Sequence, residues 1–136
     1  MTNVSSAFVA DPDLLRQLET RAKPIAVGPD HIIFRQGEEP FGLYILRKGI
    51  ASLTRESKGE PTMQVLAGEG SLLGLPAVIA TKPYSLTAEA LDGAELSLLS
   101  RSDFNDLMRA DPLLSFQLLK VLAEEVRFAR EAITHS

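Results

Sequence analysis

The stretch FRQGEEPFGLYILRKGI, residues 34–50, carries the clearest structural pattern in this chain. The period of the apolar residues becomes two over His31–Arg35 and Gly42–Arg47, which is typical of β-strands. Gln36–Pro40 contains glycine, proline and acidic residues and predicts a turn between these strands, and a further strand is predicted over Ile50–Arg55. The stretch therefore indicates successive short strands joined by tight turns.

More strand signals lie on both sides of this stretch. The sequence predicts further strands at Pro24–Val27, Thr62–Leu66, Ser85–Leu91 and Glu95–Leu99. The polar run Glu56–Glu60 predicts a hairpin turn, and Asp92-Gly93 is a strong signal for a two-residue hairpin between the last two strands. Many short strands with a turn about every eight to twelve residues are typical of an antiparallel barrel or a jelly-roll sandwich.

Helix signals flank the predicted strands. Asp11 is a suitable N-cap before Pro12, and the helix that begins there has to end before Pro24. After the last strand, Ser100 can cap the amide of Asp103 and so begin a second, short helix.

A long helix is predicted over residues 112–134, which contain no glycine and no proline after Pro112. One apolar stripe has the spacing of a coiled-coil seam and comprises Leu119, Leu122, Val126, Ala129 and Ile133. A second stripe, predicted to pack on the barrel, comprises Leu114, Leu118, Val121 and Phe128. Because one barrel cannot cover both stripes, we expect a parallel homodimer through the seam. The alternative is a single helix buried in a broad groove.

Composition limits the function classes. The chain has 136 residues, which suits one domain, and we expect a flexible tail over residues 1–10 followed by a domain over residues 11–136. The net charge of −4 argues against nucleic-acid contacts on this chain, and the absence of cysteine excludes disulfides and thiolate chemistry. No segment approaches the ~20 apolar residues of a membrane span and the start does not have the pattern of a signal peptide, so we expect a cytoplasmic protein without membrane contact.

Residues for common catalytic chemistries are sparse. The histidines are His31 and His135, too few for the ligand cluster that a metal-dependent jelly-roll enzyme needs. The serines have no recognisable histidine-acid relay. The carboxylates of the long helix, Glu124 and Glu125 among them, are interpreted as a solvated face. We therefore expect no enzymatic activity and no metal site.

A second informative stretch is GLPAVIATKPYSL, residues 74–86. Gly68, Gly70 and Gly74 permit sharp turns and close backbone approach, and Pro76 occupies the first turn of a short predicted helix. The free amides of such a helix start favour an anion. From these residues alone, the stretch is either a ligand cradle or a tight corner packed by leucines.

The segments FRQGE (34–38), GLYIL (42–46) and GI (49–50) resemble the pattern of the cyclic-nucleotide-binding domain family. The resemblance extends over about Leu14 to Ile133 and is strongest to sensor domains of bacterial regulators related to catabolite activator protein and the fumarate-nitrate regulator. It implies a mainly β fold: a double-stranded β-helix jelly-roll barrel, flanked by an N-terminal helix and a long C-terminal dimerisation helix.

The family's phosphate-binding cassette implies a ligand site in the second stretch. Its glycine and proline match Gly74 and Pro83, but Leu75 stands where a glutamate holds the ribose hydroxyl, and Tyr84 stands where an arginine pairs the cyclic phosphate. Neither side chain supplies those contacts, which argues against the usual binding of cyclic AMP. The ligand-binding residues implied by the resemblance are Leu73, Gly74, Leu75, Pro76, Pro83, Tyr84 and Ser85, with Arg127 from the long helix. An alternative contact set uses Glu69 or Glu89 for a ribose and Lys82 for a phosphate.

We therefore expect a non-enzymatic sensor domain that responds to another small molecule or to a protein partner, with no cofactor assigned and a cyclic nucleotide disfavoured. One alternative is the effector domain of a DNA-binding transcription regulator whose helix-turn-helix is absent from this chain. Another is a true cyclic-nucleotide receptor with atypical contacts. The short distance from the long helix to the end of the chain fits either a stand-alone module or a fragment of a longer regulator.

Overall fold

The computed structural model describes residues 4–91 and 93–134, with side-chain surroundings up to Arg127. The strands are β1 (Val4–Ser5), β2 (Lys23–Ile25), β3 (Ile32–Phe34), β4 (Gly42–Lys48), β5 (Ala51–Ser57), β6 (Glu60–Ala67), β7 (Leu72–Leu73), β8 (Thr87–Ala90) and β9 (Glu95–Ser100). The helices are α1 (Pro12–Glu19), α2 (Leu75–Ala80), α3 (Arg101–Ala110) and α4 (Pro112–Thr134).

The strands form two sheets with the orders β1-β6-β5-β8-β3 and β2-β9-β4-β7. All pairs are antiparallel except β1 with β6. Leu53 and Val65 of the first sheet share one buried cluster with Tyr44, Leu46 and Leu96 of the second, so the sheets pack face to face. This confirms the mainly β jelly-roll fold predicted from the sequence.

The prediction that the strands on either side of Asp92-Gly93 pair as a hairpin is wrong. The strand before it, β8, pairs with β5 and β3, whereas the strand after it, β9, pairs with β4 and β2 in the other sheet. The chain does turn tightly here, since the amide of Ala94 donates to the carbonyl of Leu91 at 3.1 Å and Gly93 has a φ of 81°. The turn passes the chain from one sheet to the other, and Asp92 itself lies outside the described residues.

The segment predicted as a flexible tail over residues 1–10 lies against the barrel from Val4 onward. Val4 pairs with Leu66 in the parallel β1–β6 ladder. Phe8 is 6% exposed and Ala10 3% exposed, because both side chains enter the core. For residues 4–10 the structure therefore replaces the expected flexible tail with a segment that pairs with β6 and contributes Phe8 and Ala10 to the buried clusters.

The predicted helix signals at α1 and α3 are confirmed. The carboxylate of Asp11 accepts a hydrogen bond from the amide of Leu14 at 2.9 Å, and the hydroxyl of Ser100 accepts one from the amide of Asp103 at 3.1 Å. Of the described helices, none is long and apolar enough to cross a membrane.

A second buried cluster joins the barrel to the helices. Its members from α4 are Leu114, Leu118 and Val121, as the second stripe predicted, while the side chain of Phe128 lies outside the described residues. Its other members are Ala10, Leu14, Leu18, Leu43, Ile45, Leu72, Leu75, Val78, Leu99 and Phe104. This helix-side core holds α2 and the first part of α4 against one another.

Candidate functional site

The candidate site begins at the left-handed turn of Gly74, which precedes α2. Gly74 has a φ of 88°, and Pro76 lies in the first turn of the helix, as predicted. A Cβ atom on Gly74 would lie 2.7 Å from Cε1 of Tyr84. The glycine is therefore needed both for its backbone conformation and for the close approach of the tyrosine ring.

Tyr84 stands at the sequence position where the resemblance implies a phosphate-binding arginine, and its side chain is buried against Phe34. Tyr84 is 3% exposed, and its ring stacks on Phe34 with a centroid separation of 3.8 Å and an interplanar angle of 13°. Its hydroxyl donates a hydrogen bond to the carbonyl oxygen of Gly42 at 2.7 Å and accepts one from the amide of Gly42 at 3.3 Å. Burial raises the pKa of Tyr84, so the phenol is neutral at physiological pH.

The backbone of Tyr84 is bonded to the turn that follows β3. Its amide donates to the carbonyl of Glu38 at 2.9 Å, and its carbonyl accepts from the amide of Gly37 at 2.8 Å. Tyr84 thus contacts the FRQGE segment through its main chain and the GLYIL segment through its hydroxyl. The same segments that carry the family resemblance form the support of the candidate site.

Behind Tyr84 lies a cavity of about 40 Å³. Its lining residues are Phe8, Phe34, Leu53, Leu73, Gly74, Pro76, Ala77, Tyr84, Ser85, Leu86 and Glu125. Small-molecule sites usually enclose about 300–1,000 Å³, whereas a cavity of this size accommodates only a few waters. In this conformation the cavity is too small for a cyclic nucleotide.

A groove of about 200 Å³ lies next to the cavity. Its lining residues are Phe8, Arg55, Met63, Pro76, Ser85, Leu86, Glu125 and Val126. Glu125, Phe8 and Pro76 are among the residues that belong to both spaces, so Glu125 lies where the cavity and the groove meet. Apart from Arg55 and Glu125, the described lining of the groove carries no charge.

Glu125 is a buried acid that the sequence analysis interpreted as solvated. It is 7% exposed, and burial raises its pKa from 4.5 to about 8. Among the residues that the structure describes, none forms a hydrogen bond or an ion pair with its carboxyl group. A signal for this burial was present, because Glu125 lies four residues after Val121 and so continues the buried stripe of α4.

The structure brings together five of the predicted ligand-binding residues. Those lining the cavity are Leu73, Gly74, Pro76, Tyr84 and Ser85. Leu75 instead points into the helix-side core and is 0% exposed, while Pro83 is exposed to solvent. Arg127 lines neither space and donates to Glu124 at 2.8 Å on the outer face of α4.

The alternative contact set is not assembled either. Glu69, Glu89 and Lys82 are exposed, and none of them lines the cavity or the groove. In the part of the chain that the structure describes, no group of three or more potential ligands is arranged to hold a metal ion.

Comparison with known proteins identifies the fold family. Residues 24–111 match the family described as Cyclic nucleotide-binding domain. The chain belongs to this family. The match covers the barrel from β2 to the end of α3 and so includes the cavity wall formed by Phe34, Gly74 and Tyr84.

Solved structures of bacterial regulators share the fold of this domain. The catabolite activator protein of Thermus thermophilus is 26% identical with a TM-score of 0.76, over 96% of this chain and 62% of that one. The sensor domain of the transcriptional regulator DNR from Pseudomonas aeruginosa is 20% identical with a TM-score of 0.67, over 89% of this chain and 82% of that one.

A similar domain occurs within a much larger protein. Lysophospholipase nte1 of Aspergillus fumigatus is 28% identical over 117 residues, which are 85% of this chain and 8% of the fungal protein. The chain thus spans less than a tenth of the length of this relative, and the similarity concerns one domain only.

The first prediction concerns the hydroxyl of Tyr84. We expect Tyr84→Phe to lower the free energy of unfolding by about 1–2 kcal/mol, because it removes a buried hydrogen bond to Gly42. Urea denaturation followed by circular dichroism measures this change. Tyr44→Phe is the matched control, because the Tyr44 hydroxyl makes no hydrogen bond with the described residues, and an equal loss in both variants would contradict the assigned role.

The second prediction concerns the pH dependence of stability at Glu125. The folded state holds a proton on this carboxyl between pH 4.5 and about 8 that the unfolded state has released, so stability falls as the pH rises through this window. Glu125→Gln removes this loss, and its advantage over wild type should grow by up to about 1 kcal/mol per pH unit.

Urea denaturation at several pH values across that window measures the advantage. The control is Glu124→Gln, an exposed neighbour on α4. An advantage of Glu125→Gln that is independent of pH would show that Glu125 is ionised in the folded state at all these pH values.

Proposed function

We propose that this chain is a non-enzymatic sensor domain of the Crp/Fnr type whose effector is not a cyclic nucleotide held by the usual phosphate contacts. The observation that supports the proposal is the side chain of Tyr84, which is stacked on Phe34 and bonded to Gly42, at the sequence position that the resemblance assigns to a phosphate-binding arginine. A neutral phenol lacks the charge and the two-pronged geometry with which a guanidinium holds a phosphate.

Electrostatics supports the same proposal. The one charged residue in the described lining of the cavity is Glu125, an acid, and no described lysine or arginine lines it. A cyclic phosphate placed there would meet a neutral or negative surface, with no positive charge to offset its loss of hydration. Both the charge and the size of a cyclic nucleotide therefore disfavour its binding in the cavity.

The packing of α2 and α4 supports a route from the effector to the long helix. Leu75 and Val78 of α2 lie in the same buried core as Leu118 and Val121 of α4, while Pro76 and Glu125 share the walls of the cavity. An effector that enlarges the cavity has to displace α2 or α4, and each displacement changes the core between them. Binding would thus shift the equilibrium between two arrangements of α4.

The outer face of α4 supports an output through dimerisation. Phe116 is 67% exposed, Leu119 53% and Val126 51%, at spacings of three and seven residues that match a heptad. Leu122, also assigned to the seam by the sequence, is half-buried against the chain's own helix-side core. Ala129 and Ile133 lie outside the residues whose side chains are described.

A second candidate function is the effector domain of a DNA-binding transcription regulator. The similarity to the Thermus catabolite activator protein favours it, since this chain matches 62% of that longer protein. The mass of the native protein that carries this domain discriminates between the two, because a regulator of that kind requires a further DNA-binding domain.

The third prediction concerns nucleotide affinity. We expect isothermal titration calorimetry with cyclic AMP and cyclic GMP to give a Kd weaker than about 1 mM for the wild-type chain. Micromolar binding of either nucleotide would overturn the proposed function. We expect Tyr84→Arg combined with Glu125→Gln to gain affinity, because the pair removes the stacked ring and the acid and introduces a guanidinium.

Tyr84→Leu combined with Glu125→Gln is the matched control, since it opens the cavity without adding a positive charge. Leu75→Glu is not a useful addition, because this side chain points away from the cavity into the helix-side core. Equal nucleotide affinity in the arginine and leucine variants would contradict the role assigned to charge.

The fourth prediction concerns oligomeric state. We expect light scattering to give a dimer for the wild-type chain and a monomer for Val126→Glu, because the new carboxylate would be buried against the partner helix. Ser102→Glu is the control, as it adds the same charge at an exposed position of α3 and should leave the dimer intact. A wild-type monomer at high concentration would contradict the predicted seam.

A further inference from the structure

The groove beside Glu125 has the features of a binding site, and the sequence analysis assigned Pro76 and Ser85 of its lining to a ligand but not Glu125. Glu125 is 7% exposed and lies at the junction of the groove with the cavity, and no described residue forms a hydrogen bond or an ion pair with its carboxyl group. Most of the other lining residues are apolar, Met63, Leu86 and Val126 among them, and Arg55 and Ser85 are the further polar members. Concave, mostly apolar walls with a few polar groups are typical of small-molecule sites.

We propose that this groove binds a small organic cation, an ammonium compound with an apolar body, whose ammonium group pairs with Glu125. The apolar body would lie against Met63, Leu86 and Phe8 in the groove. The inference rests on the proposed function and extends it, because it assigns a chemical class to the effector and a residue to its recognition.

The first step of the argument is the cost of an unpartnered acid. A carboxyl in an apolar site destabilises the fold unless it has a hydrogen-bond or charge partner, and an apolar residue of similar size would be more stable there. The neighbouring positions of the same stripe, Leu118 and Val121, are apolar. Glu125 is therefore an exception on its own stripe, and it lines both the cavity and the groove.

The second step is the choice of a cation over other ligands. An anion is disfavoured by the ionised form of Glu125, and a neutral alcohol can form a hydrogen bond but brings no charge to offset that of the carboxylate. Arg55 also lines the groove, but it is half-buried and makes no described ion pair with Glu125, so water screens its charge more than that of the acid. The buried acid therefore favours a ligand with a positive charge.

The third step is the link to protons. Of the elements around the groove, β5 contributes Arg55, while the linings from the N-terminal segment, α2, β6 and the segment before β8 are uncharged. Glu124 and Arg127 pair with each other on the outer face of α4. With a pKa of about 8, Glu125 is mostly protonated at neutral pH, and an ammonium ligand has to displace that proton. Cation affinity should therefore rise with pH up to about 8 and then level off.

The fifth prediction uses 2-phenylethylamine as the probe and 2-phenylethanol as its uncharged counterpart, titrated into the full chain by NMR. At pH 8 we expect the amine to bind at least about tenfold more tightly than the alcohol, and the ratio to shrink towards pH 6. Glu125→Gln should remove the preference for the amine. Glu124→Gln should keep it, and Arg55→Gln should keep or increase it.

Several results would overturn the inference: no amine binding up to about 10 mM, equal binding of amine and alcohol, or an unchanged preference in Glu125→Gln. Loss of the preference in Arg55→Gln would also overturn it, since the groove would then select through its arginine. The NMR spectrum of each variant verifies its fold. Because cyclic AMP is titrated separately, a failure of the amine to bind is distinguishable from a failure of the proposed function.

Discussion

The contacts of Tyr84 are the constraint on which the candidate site depends. One residue joins the loop after α2 to the turn after β3 through its main chain, and to the start of β4 through its hydroxyl. Its ring closes the space above Phe34, and this close approach is possible because Gly74 has no side chain. Tyr84 therefore has a structural role at the position where the family resemblance implies a ligand contact.

This support ties the loop between β3 and β4 to the loop after α2 through protein contacts. Gln36 acts in the same way on the other side of the turn, since its side-chain amide donates to the carbonyl of Glu56 at 3.0 Å and accepts from the amide of Glu56 at 2.8 Å. Both contacts pair a side chain with the main chain of a neighbouring strand. The family's sequence pattern can therefore persist for the sake of the barrel, independently of what the barrel binds.

The parts of the fold that could be predicted from sequence are those with local causes. The bounds of α4 follow from Pro112 and the absence of later helix breakers, and α1 and α3 begin at capping side chains. The turn at Asp92-Gly93 has a local signal too, but strand pairing depends on distant partners, and so the hairpin assignment failed. The two-residue strand β1 is too short for any period to reveal it.

The sequence indicated where in the chain the candidate site lies, but it did not indicate the direction of each side chain there. The family pattern predicts one ligand site at Gly74 and Tyr84, and both residues line the same cavity, yet the pattern could not show that Leu75 points into a different core. Glu125 was missed because its type suggested solvent, whereas its place on the helix indicated burial. The helical period indicates which face of α4 a side chain lies on, whereas the residue type indicates how unfavourable its burial on that face is.

Val126 belongs both to the groove and to the exposed face of α4 on which a second chain would pack. A wall shared by the proposed dimer and the proposed effector site would couple the two binding events, and linkage makes that coupling reciprocal: the factor by which dimerisation changes the affinity for the effector is the factor by which the effector changes dimerisation. The sensitivity of such a sensor would then depend on its own abundance, because dilution would separate the chains and change the affinity of the groove. A cell could set the threshold of its response simply by how much of this protein it makes.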